Sequence, residues 1–241
     1  MLELLKSLQN IVDCSKRIVF FGGAGVSTES GIPDFRSVDG LYNQKYKYPP
    51  EIILSHDFFI DKTEEFYDFY REKILITDVR PNPAHLWLAK REQAGRLSAV
   101  VTQNIDGLHQ KAGSKAVYEL HGIIHKNYCM RCGRFYDVKY IMDSVGVPKC
   151  NCGGVIKPDV VLYDEDLNSA TVTGAIRAIE GADTLIVAGT SLTVYPAAGL
   201  LRYFNGDKMV LINKGRTGME GRADLVINDS VGKVLSGIEI R

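Results

Sequence analysis

The sequence lacks an excess of either charge, because 29 lysine and arginine residues balance 29 aspartate and glutamate residues. A protein that grips the phosphates of nucleic acid usually carries a basic excess or a basic stripe. No apolar run reaches the roughly 20 residues that a membrane-spanning helix needs. The amphipathic N-terminus also lacks the continuous apolar core and cleavage site of a signal peptide. We therefore expect no direct nucleic-acid partner, no membrane span and a cytoplasmic location.

Cysteine is scarce as well, and its few copies are unevenly distributed. Cys14 stands alone beside the first predicted strand, where we expect a buried small hydrophobic residue. The other four cysteines crowd into one stretch as two close pairs: Cys129, Cys132, Cys150 and Cys152. Two pairs separated by residues 133–149 are typical of zinc ligands, and four thiolates leave no open position for water. The pattern predicts one structural zinc ion. The tight second pair leaves an empty site or another metal as the alternative.

Short apolar runs rich in β-branched residues alternate with helical patterns along the chain. The predicted strands are residues 17–21, 97–102, 184–188, 209–212 and 225–227, with predicted helices at 83–94 and 170–179. This alternation predicts an α/β fold, in which a parallel sheet carries helices on both faces. Ligands of such folds bind beyond the carboxyl ends of the strands. Residues from 37 to about 76 and from 125 to about 158 interrupt the alternation, and we expect them to form a smaller lobe.

A glycine-rich turn follows the first predicted strand. Backbone N–H groups of such a turn can approach a pyrophosphate closely. Thr28 stands where the dinucleotide fingerprint has its third glycine, which disfavours an ordinary hydride-transferring enzyme. Asp34, Phe35 and Arg36 then bring together a carboxylate, an aromatic ring and a guanidinium suited to phosphate. A tight turn without a ligand, followed by a surface loop, is the structural alternative.

Polar residues follow the later strands too. Gln103, Asn104 and Asp106 suit sugar hydroxyls, although an Asx-type helix cap explains them equally well. His121 precedes a glycine, and a neutral imidazole near pH 7 is a suitable general base, although a lone histidine is more often structural. Turns at Gly189 and Asn213 suit phosphate or adenosine, or merely cap helices.

Taken in chain order, these motifs resemble the sirtuin family. They are GAGVSTESGIPDFR at 23–36, TQNIDGLH at 102–109, HG at 121–122, the four cysteines, GTSL at 189–192 and IN at 212–213. The likeness covers nearly the whole chain. It implies a Rossmann-like NAD-binding domain made of residues 1–36, 77–124 and 159–241. It also implies a smaller lobe made of a helical insert, 37–76, and a zinc ribbon, 125–158.

The resemblance implies a set of site residues. His121, Asn104 and Asp106 match the catalytic group. The positions that match the NAD site are Ala24, Gly25, Thr28, Asp34, Phe35, Arg36, Gln103, Asn104, Ile105, Asp106, Gly189, Thr190, Ser191, Asn213 and Val231. Val160 and Val161 match the substrate site, where a peptide pairs with the backbone as an added strand. The four cysteines match the zinc ligands.

The implied activity is NAD-dependent deacetylation of lysine in proteins or peptides, which yields nicotinamide, free lysine and O-acyl-ADP-ribose. His121 is implied to take a proton from a ribose hydroxyl. A protein mono-ADP-ribosyltransferase on the same fold and a non-catalytic NAD-sensing or zinc-ribbon interaction module remain alternatives. No long apolar surface stripe is evident in the sequence, so we expect a monomer.

Two segments depart from the family pattern. Many sirtuins have Phe-Gly-Glu where this chain has Tyr163, Asp164 and Glu165. Sirtuins that prefer succinyl or malonyl groups have arginine three residues after a tyrosine, where this chain has Tyr67 and then Tyr70. Without that cation an acidic acyl group lacks a partner, so we predict a preference for neutral acyl groups such as acetyl.

Overall fold

The strands of the protein form two separate sheets. The structure, a computed structural model, describes residues 1–35 and 40–240. The described strands are β1 (Ile18–Gly22), β2 (Leu97–Thr102), β3 (Val117–Glu119), β4 (Gly122–Cys129), β5 (Phe135–Asp137), β6 (Ile156–Val160), β7 (Thr184–Ala188), β8 (Lys208–Ile212) and β9 (Leu225–Ile227). Six of them form a parallel sheet in the order β3-β2-β1-β7-β8-β9. The other three form an antiparallel sheet in the order β5-β4-β6.

Helices cover both faces of the parallel sheet. The described helices are α1 (Leu2–Cys14), α2 (Pro50–Ile53), α3 (His56–Asp61), α4 (Thr63–Phe69), α5 (Pro83–Gln93), α6 (Leu108–Ala112), α7 (Val138–Asp143), α8 (Ser169–Glu180) and α9 (Val231–Ser236). Successive side chains of a strand point to opposite faces, so Phe20 packs with the cluster of α1, α5 and α9, whereas Phe21 packs with that of α8. The predicted α/β fold is confirmed. None of the described helices is long and apolar enough to cross a membrane.

The start of α5 is tied to the glycine-rich turn. Asn82 caps α5 by accepting a hydrogen bond from Ala84 N, and Pro83 occupies the first helical turn, where no N–H donor is needed. The Asn82 side-chain amide donates to the carbonyl oxygen of Val26 at 2.7 Å. The cap of one helix therefore also fixes the turn that follows β1.

The smaller lobe combines the antiparallel sheet with α2, α3, α4 and α7. A π-helical turn, Tyr70–Ile74, continues α4. Phe59 of α3 and Phe66 of α4 pack in one apolar cluster with Ile141 of α7 and Ile156 of β6. β4 begins before residue 125 and β6 ends after residue 158, so both strands run past the predicted limits of the zinc ribbon.

Two local features differ from the sequence-based expectation. The prediction that Cys14 is buried is wrong, because its side chain is exposed at the end of α1. The buried stripe of α1 runs through Leu8 and Val12, and a residue two positions after Val12 lies about 200° around the helix, away from that stripe. Strand β3 has only three residues, too few for a periodic pattern, and the sequence did not indicate it.

Candidate active site

A cavity of about 1000 Å³ lies where the parallel strands end and the smaller lobe begins. Ala24, Gln103 and Gly189, which lie in the loops after β1, β2 and β7, line one side of it. Asn213 and Asp229, which follow β8 and β9, extend the same side. Its opposite wall comes from the smaller lobe: Leu54, Tyr70, Ile124, Val160 and Leu162. The loops therefore meet at one edge of the sheet, as expected for a parallel α/β fold.

The two glycine-rich turns at this edge contact each other directly. Gly25 N donates to the carbonyl oxygen of Gly189 at 2.8 Å. A Cβ atom added to Gly25 would lie 2.8 Å from Gly189 Cα, which is closer than real side chains come to backbone. The absence of a side chain therefore lets the turns after β1 and β7 pack together, and backbone lines the floor of the cavity.

Ser27 stands at the centre of a polar network beside these turns. Its hydroxyl accepts a hydrogen bond from Asn104 Nδ2 at 3.0 Å and donates to Asp106 Oδ2 at 2.7 Å. The second Asp106 oxygen accepts from Leu108 N at 2.8 Å at the start of α6. The helix-cap interpretation thus holds for one carboxylate oxygen, while the other belongs to a network that lines the cavity.

Gln103 offers a buried polar group to a ligand. Its backbone N–H extends the sheet by donating to Gly22 O at 2.9 Å, and its Oε1 accepts from Thr190 Oγ1 at 3.0 Å. Its Nε2 is buried and has no hydrogen-bond partner among the described residues. A buried amide donor without a partner is costly. An acceptor such as a sugar hydroxyl bound in the cavity would remove that cost.

His121 is held by hydrogen bonds on both its ring and its backbone. Nδ1 lies 3.0 Å from the carbonyl oxygen of Gln103. Because a carbonyl only accepts, Nδ1 carries the proton and Nε2 keeps its lone pair. Burial lowers the pKa of His121 and outweighs the opposing effect of the Gln103 carbonyl. The ring is therefore a neutral base at pH 7. The carbonyl oxygen of His121 accepts from Val161 N at 2.9 Å.

The structure brings together nearly all of the residues predicted to form the site. Of the predicted catalytic, NAD-binding and substrate-binding residues, every one within the described ranges lines the cavity. Arg36 lies outside the described residues. The sequence analysis missed Ser27, Tyr42 and the pair Asp229 and Ser230, which also line the cavity. Asp229 and Ser230 follow a predicted strand after one intervening residue, so their position near its carboxyl end was a usable signal.

The four clustered cysteines have the geometry of a metal site. Their Sγ atoms all lie within 4.8 Å of one another. The Cys129–Cys152 and Cys132–Cys150 sulfur pairs are 3.5 and 3.6 Å apart. A tetrahedral zinc ion with bonds of ~2.3 Å requires sulfur atoms ~3.8 Å apart. The cluster therefore fits one zinc ion with a complete thiolate shell, which makes the site structural.

Comparison with known proteins gives consistent matches over the whole chain. A family model described as the Sir2 family matches residues 23–196. An NAD-dependent protein deacetylase of Clostridium acetobutylicum is 59% identical over 242 residues, which cover 99% of each chain. A similar protein of the same name from Clostridium perfringens is 58% identical over 240 residues, covering 98% of each chain.

Solved structures match equally completely. One is a Sir2 protein with a deacetylated p53 peptide and 3'-O-acetyl ADP-ribose. It superimposes with a TM-score of 0.90 at 40% identity and covers 98% of this chain and 99% of its own. The likeness therefore extends over both the parallel sheet and the smaller lobe.

Proposed function

Since this chain belongs to the Sir2 family, we infer that it is an NAD-dependent protein deacetylase. It removes the acetyl group from lysine in a protein or peptide and consumes NAD as a cosubstrate. The products are nicotinamide, free lysine and O-acetyl-ADP-ribose. Two relatives of this name align with 98–99% of the chain, and a similar Sir2 structure holds a deacetylated p53 peptide and 3'-O-acetyl ADP-ribose.

The observation that carries this function most directly is the position of His121. Its neutral ring lines the same cavity as Ser27, Asn104 and Asp106, and its Nδ1 is engaged by a backbone carbonyl. This leaves Nε2 as the base. We assign His121 the removal of a proton from a ribose hydroxyl, which then attacks the activated acyl group. The hydrogen bond at Nδ1 selects the tautomer in which Nε2 is unprotonated. A general base needs this free lone pair to accept the proton.

The residues on the sheet side suit NAD. The turns at Gly25 and Gly189 both line the cavity, and backbone N–H groups of glycine-rich turns after parallel strands are suited to a pyrophosphate. We assign the ribose beside the nicotinamide to Gln103, Asn104 and Asp106, whose amide and carboxylate groups suit sugar hydroxyls and a sugar that develops positive charge. The other predicted NAD-binding residues that the structure describes extend along the same wall of the cavity.

The smaller lobe supplies the peptide side. β6 is the edge strand of the antiparallel sheet, where among the described strands only β4 pairs with it, and a peptide can pair with such an edge as an added strand. Val160 ends this strand, and Val161 N is already bonded to His121 O. We assign the acyl-lysine peptide to this edge, with its acyl group entering the cavity past Val160 and Val161.

The test is a turnover assay with NAD and an acetylated peptide. The expected products are deacetylated peptide, nicotinamide and O-acetyl-ADP-ribose in equal amounts, identified by mass spectrometry. His121→Ala should still bind NAD but form almost no deacetylated peptide. A protein acceptor that gains ADP-ribose would instead indicate a mono-ADP-ribosyltransferase, and NAD binding without turnover would indicate a sensing module. We further propose that the enzyme acts as a monomer in the cytoplasm.

A further inference from the structure

A side-chain hydrogen bond crosses the cavity between two segments that are far apart in sequence. The hydroxyl groups of Tyr42 and Tyr163, which are 121 residues apart in the chain, bond to each other. Both tyrosines line the same cavity as His121. Tyr42 lies seven residues after Phe35, which is predicted to bind NAD. Tyr163 lies three residues after Val160, which ends β6 and is predicted to bind the peptide. The bond therefore joins the NAD side of the cavity to the peptide side.

On the NAD side, Tyr42 fixes the position of Phe35. Tyr42 N donates to the carbonyl oxygen of Phe35 at 2.8 Å, and Leu41 N donates to that of Asp34 at 2.9 Å. The rings of Phe35 and Tyr42 meet edge to face, with their centroids 5.5 Å apart. Asp34 and Phe35 therefore lie side by side with Leu41 and Tyr42. A displacement of Tyr42 would also displace the Phe35 ring.

On the peptide side, Tyr163 has a firmly held backbone. Its N–H donates to Leu54 O at 2.9 Å, and its carbonyl oxygen accepts from His56 N at 3.0 Å. Two residues later, Glu165 accepts hydrogen bonds from Lys157 at 2.9 Å and from Leu162 N at 2.9 Å. The backbone of Tyr163 is therefore held by the smaller lobe, and its hydroxyl bond ties Tyr42 to that lobe.

We propose that Tyr163 is a positioning residue whose hydroxyl, through Tyr42, holds the Phe35 ring over the reacting sugar of NAD. The bond couples the peptide side of the cavity to the NAD side. Many sirtuins have phenylalanine in place of Tyr163, which preserves the ring but cannot form this bond. This coupling rests on the proposed function, because the sirtuin resemblance implies that the Phe35 ring shields the reacting sugar of NAD.

Loosening Phe35 has a specific chemical consequence. Once the bond between nicotinamide and the sugar breaks, the exposed sugar carbon can react with the acyl oxygen or with water. Attack by water forms a carbon–oxygen bond, releases a proton to solvent and yields ADP-ribose without deacetylation. A ring held over the sugar excludes that water. The Tyr42–Tyr163 bond therefore favours productive use of NAD.

The experiment compares Tyr163→Phe, Tyr42→Phe and the double variant with the wild type. Tyr140→Phe is the matched control. The hydroxyl of Tyr140 bonds to Lys149 O at 2.8 Å within the smaller lobe, and Tyr140 does not line the cavity. We measure nicotinamide released per peptide deacetylated, KM for NAD, KM for the peptide and the affinity for ADP-ribose. Thermal melting verifies that every variant is folded.

Each single variant should raise the KM for NAD and weaken ADP-ribose binding about 3- to 10-fold, the effect of one neutral hydrogen bond. The KM for the peptide should change less, and nicotinamide release should exceed deacetylation. The double variant should lose no more than the more affected single variant, because either substitution removes the shared bond. Wild-type behaviour of both folded single variants, or additive losses in the double variant, would overturn the proposal. Absence of turnover in the wild type would contradict only the proposed function. In that case the ADP-ribose affinities of the variants would still test the proposed role of the tyrosine pair.

Discussion

The carbonyl oxygen of His121 accepts a hydrogen bond from the backbone N–H of Val161 at 2.9 Å. The ring of His121 is bonded at the same time to the carbonyl oxygen of Gln103, just beyond β2. One residue is thus fixed between the parallel sheet and the end of β6. The base that we assign to the reaction therefore depends on correct pairing of β4 with β6, and the following substitutions test this dependence.

Gly122→Ala should disrupt this pairing. A Cβ atom there would lie 2.0 Å from the carbonyl oxygen of Asp159, and Gly122 has a φ of +77°. We expect deacetylase activity to fall more than about tenfold, because a shift of about 1 Å in a reacting group can cost far more than that.

Gly95→Ala is the matched control for this substitution. Gly95 has a similar φ of +70°, but its Cβ would meet no atom within 4 Å. The Gly95→Ala variant should keep its activity. Its free energy of unfolding should fall by only about 1 to 2 kcal/mol, because alanine must adopt the left-handed backbone conformation there. Activity assays and thermal melts of both variants measure the difference. Equal activity of the two folded proteins would show that the contact at Gly122 is unimportant.

The activity should depend on pH through His121. Burial lowers the pKa of this histidine from the ordinary value of 6.5, so the ring loses its proton at lower pH than a free histidine does. A general base works in its unprotonated form. We expect kcat/KM for the acetylated peptide to be constant around pH 7 and to fall only below pH 6.5. An acid limb centred above that value would contradict a desolvated base at this position.

His121→Ala separates chemistry from binding. Loss of a general base typically costs about 10²- to 10⁴-fold in rate. The NAD contacts assigned to Gly25, Asn104 and Asp106 remain in this variant. We therefore expect NAD affinity within about twofold of wild type, by calorimetry, alongside nearly complete loss of deacetylation. Activity retained above one tenth of wild type would exclude His121 as the base.

Loss of zinc should destabilise the smaller lobe. Cys129 and Cys150 are buried in the same apolar cluster as Phe66 of the helical segment. Cys150→Ser should lower the zinc content, measured by atomic emission, from one ion per chain, and should reduce the melting temperature by several degrees. Cys14→Ser should keep one ion, because Cys14 is exposed and separate from the cluster. Full zinc content in folded Cys150→Ser would contradict the four-thiolate site.

Tyr70 tests the predicted acyl preference. It is fully buried, lines the cavity and has a hydroxyl without a hydrogen-bond partner among the described residues. Burial raises its pKa well above the ordinary value, so the residue is neutral. Tyr70→Arg should raise the ratio of desuccinylase to deacetylase activity about tenfold or more, because a charge-assisted hydrogen bond contributes about 1.5 to 3 kcal/mol.

Tyr70→Phe is the matched control, since it removes the hydroxyl and introduces no charge. It should keep the wild-type ratio of kcat/KM for succinylated and acetylated peptides. Because the hydroxyl has no described partner, its removal should also leave the melting temperature unchanged or raise it. Wild-type protein that removes succinyl faster than acetyl would refute the predicted preference for neutral groups.

Local sequence determined the parallel sheet and the metal cluster. Three predicted strands, at 97–102, 184–188 and 225–227, begin and end as β2, β7 and β9 do. Each is a short apolar run, and a strand buried on both faces produces such a run whatever packs against it. The cysteine spacing likewise predicted the cluster, because the ligands of one ion must come close together and short loops achieve this.

Only the tertiary structure decided how distant side chains meet. Nothing near Tyr42 in the sequence indicates a bond to Tyr163, and nothing near Ser27 indicates that it links Asn104 to Asp106. The exposure of Cys14 was also decided by which face of α1 packs on the sheet. Periodicity and motifs report local geometry, whereas these contacts depend on the relative placement of separate elements. That placement results from packing of the whole chain, which no single segment encodes.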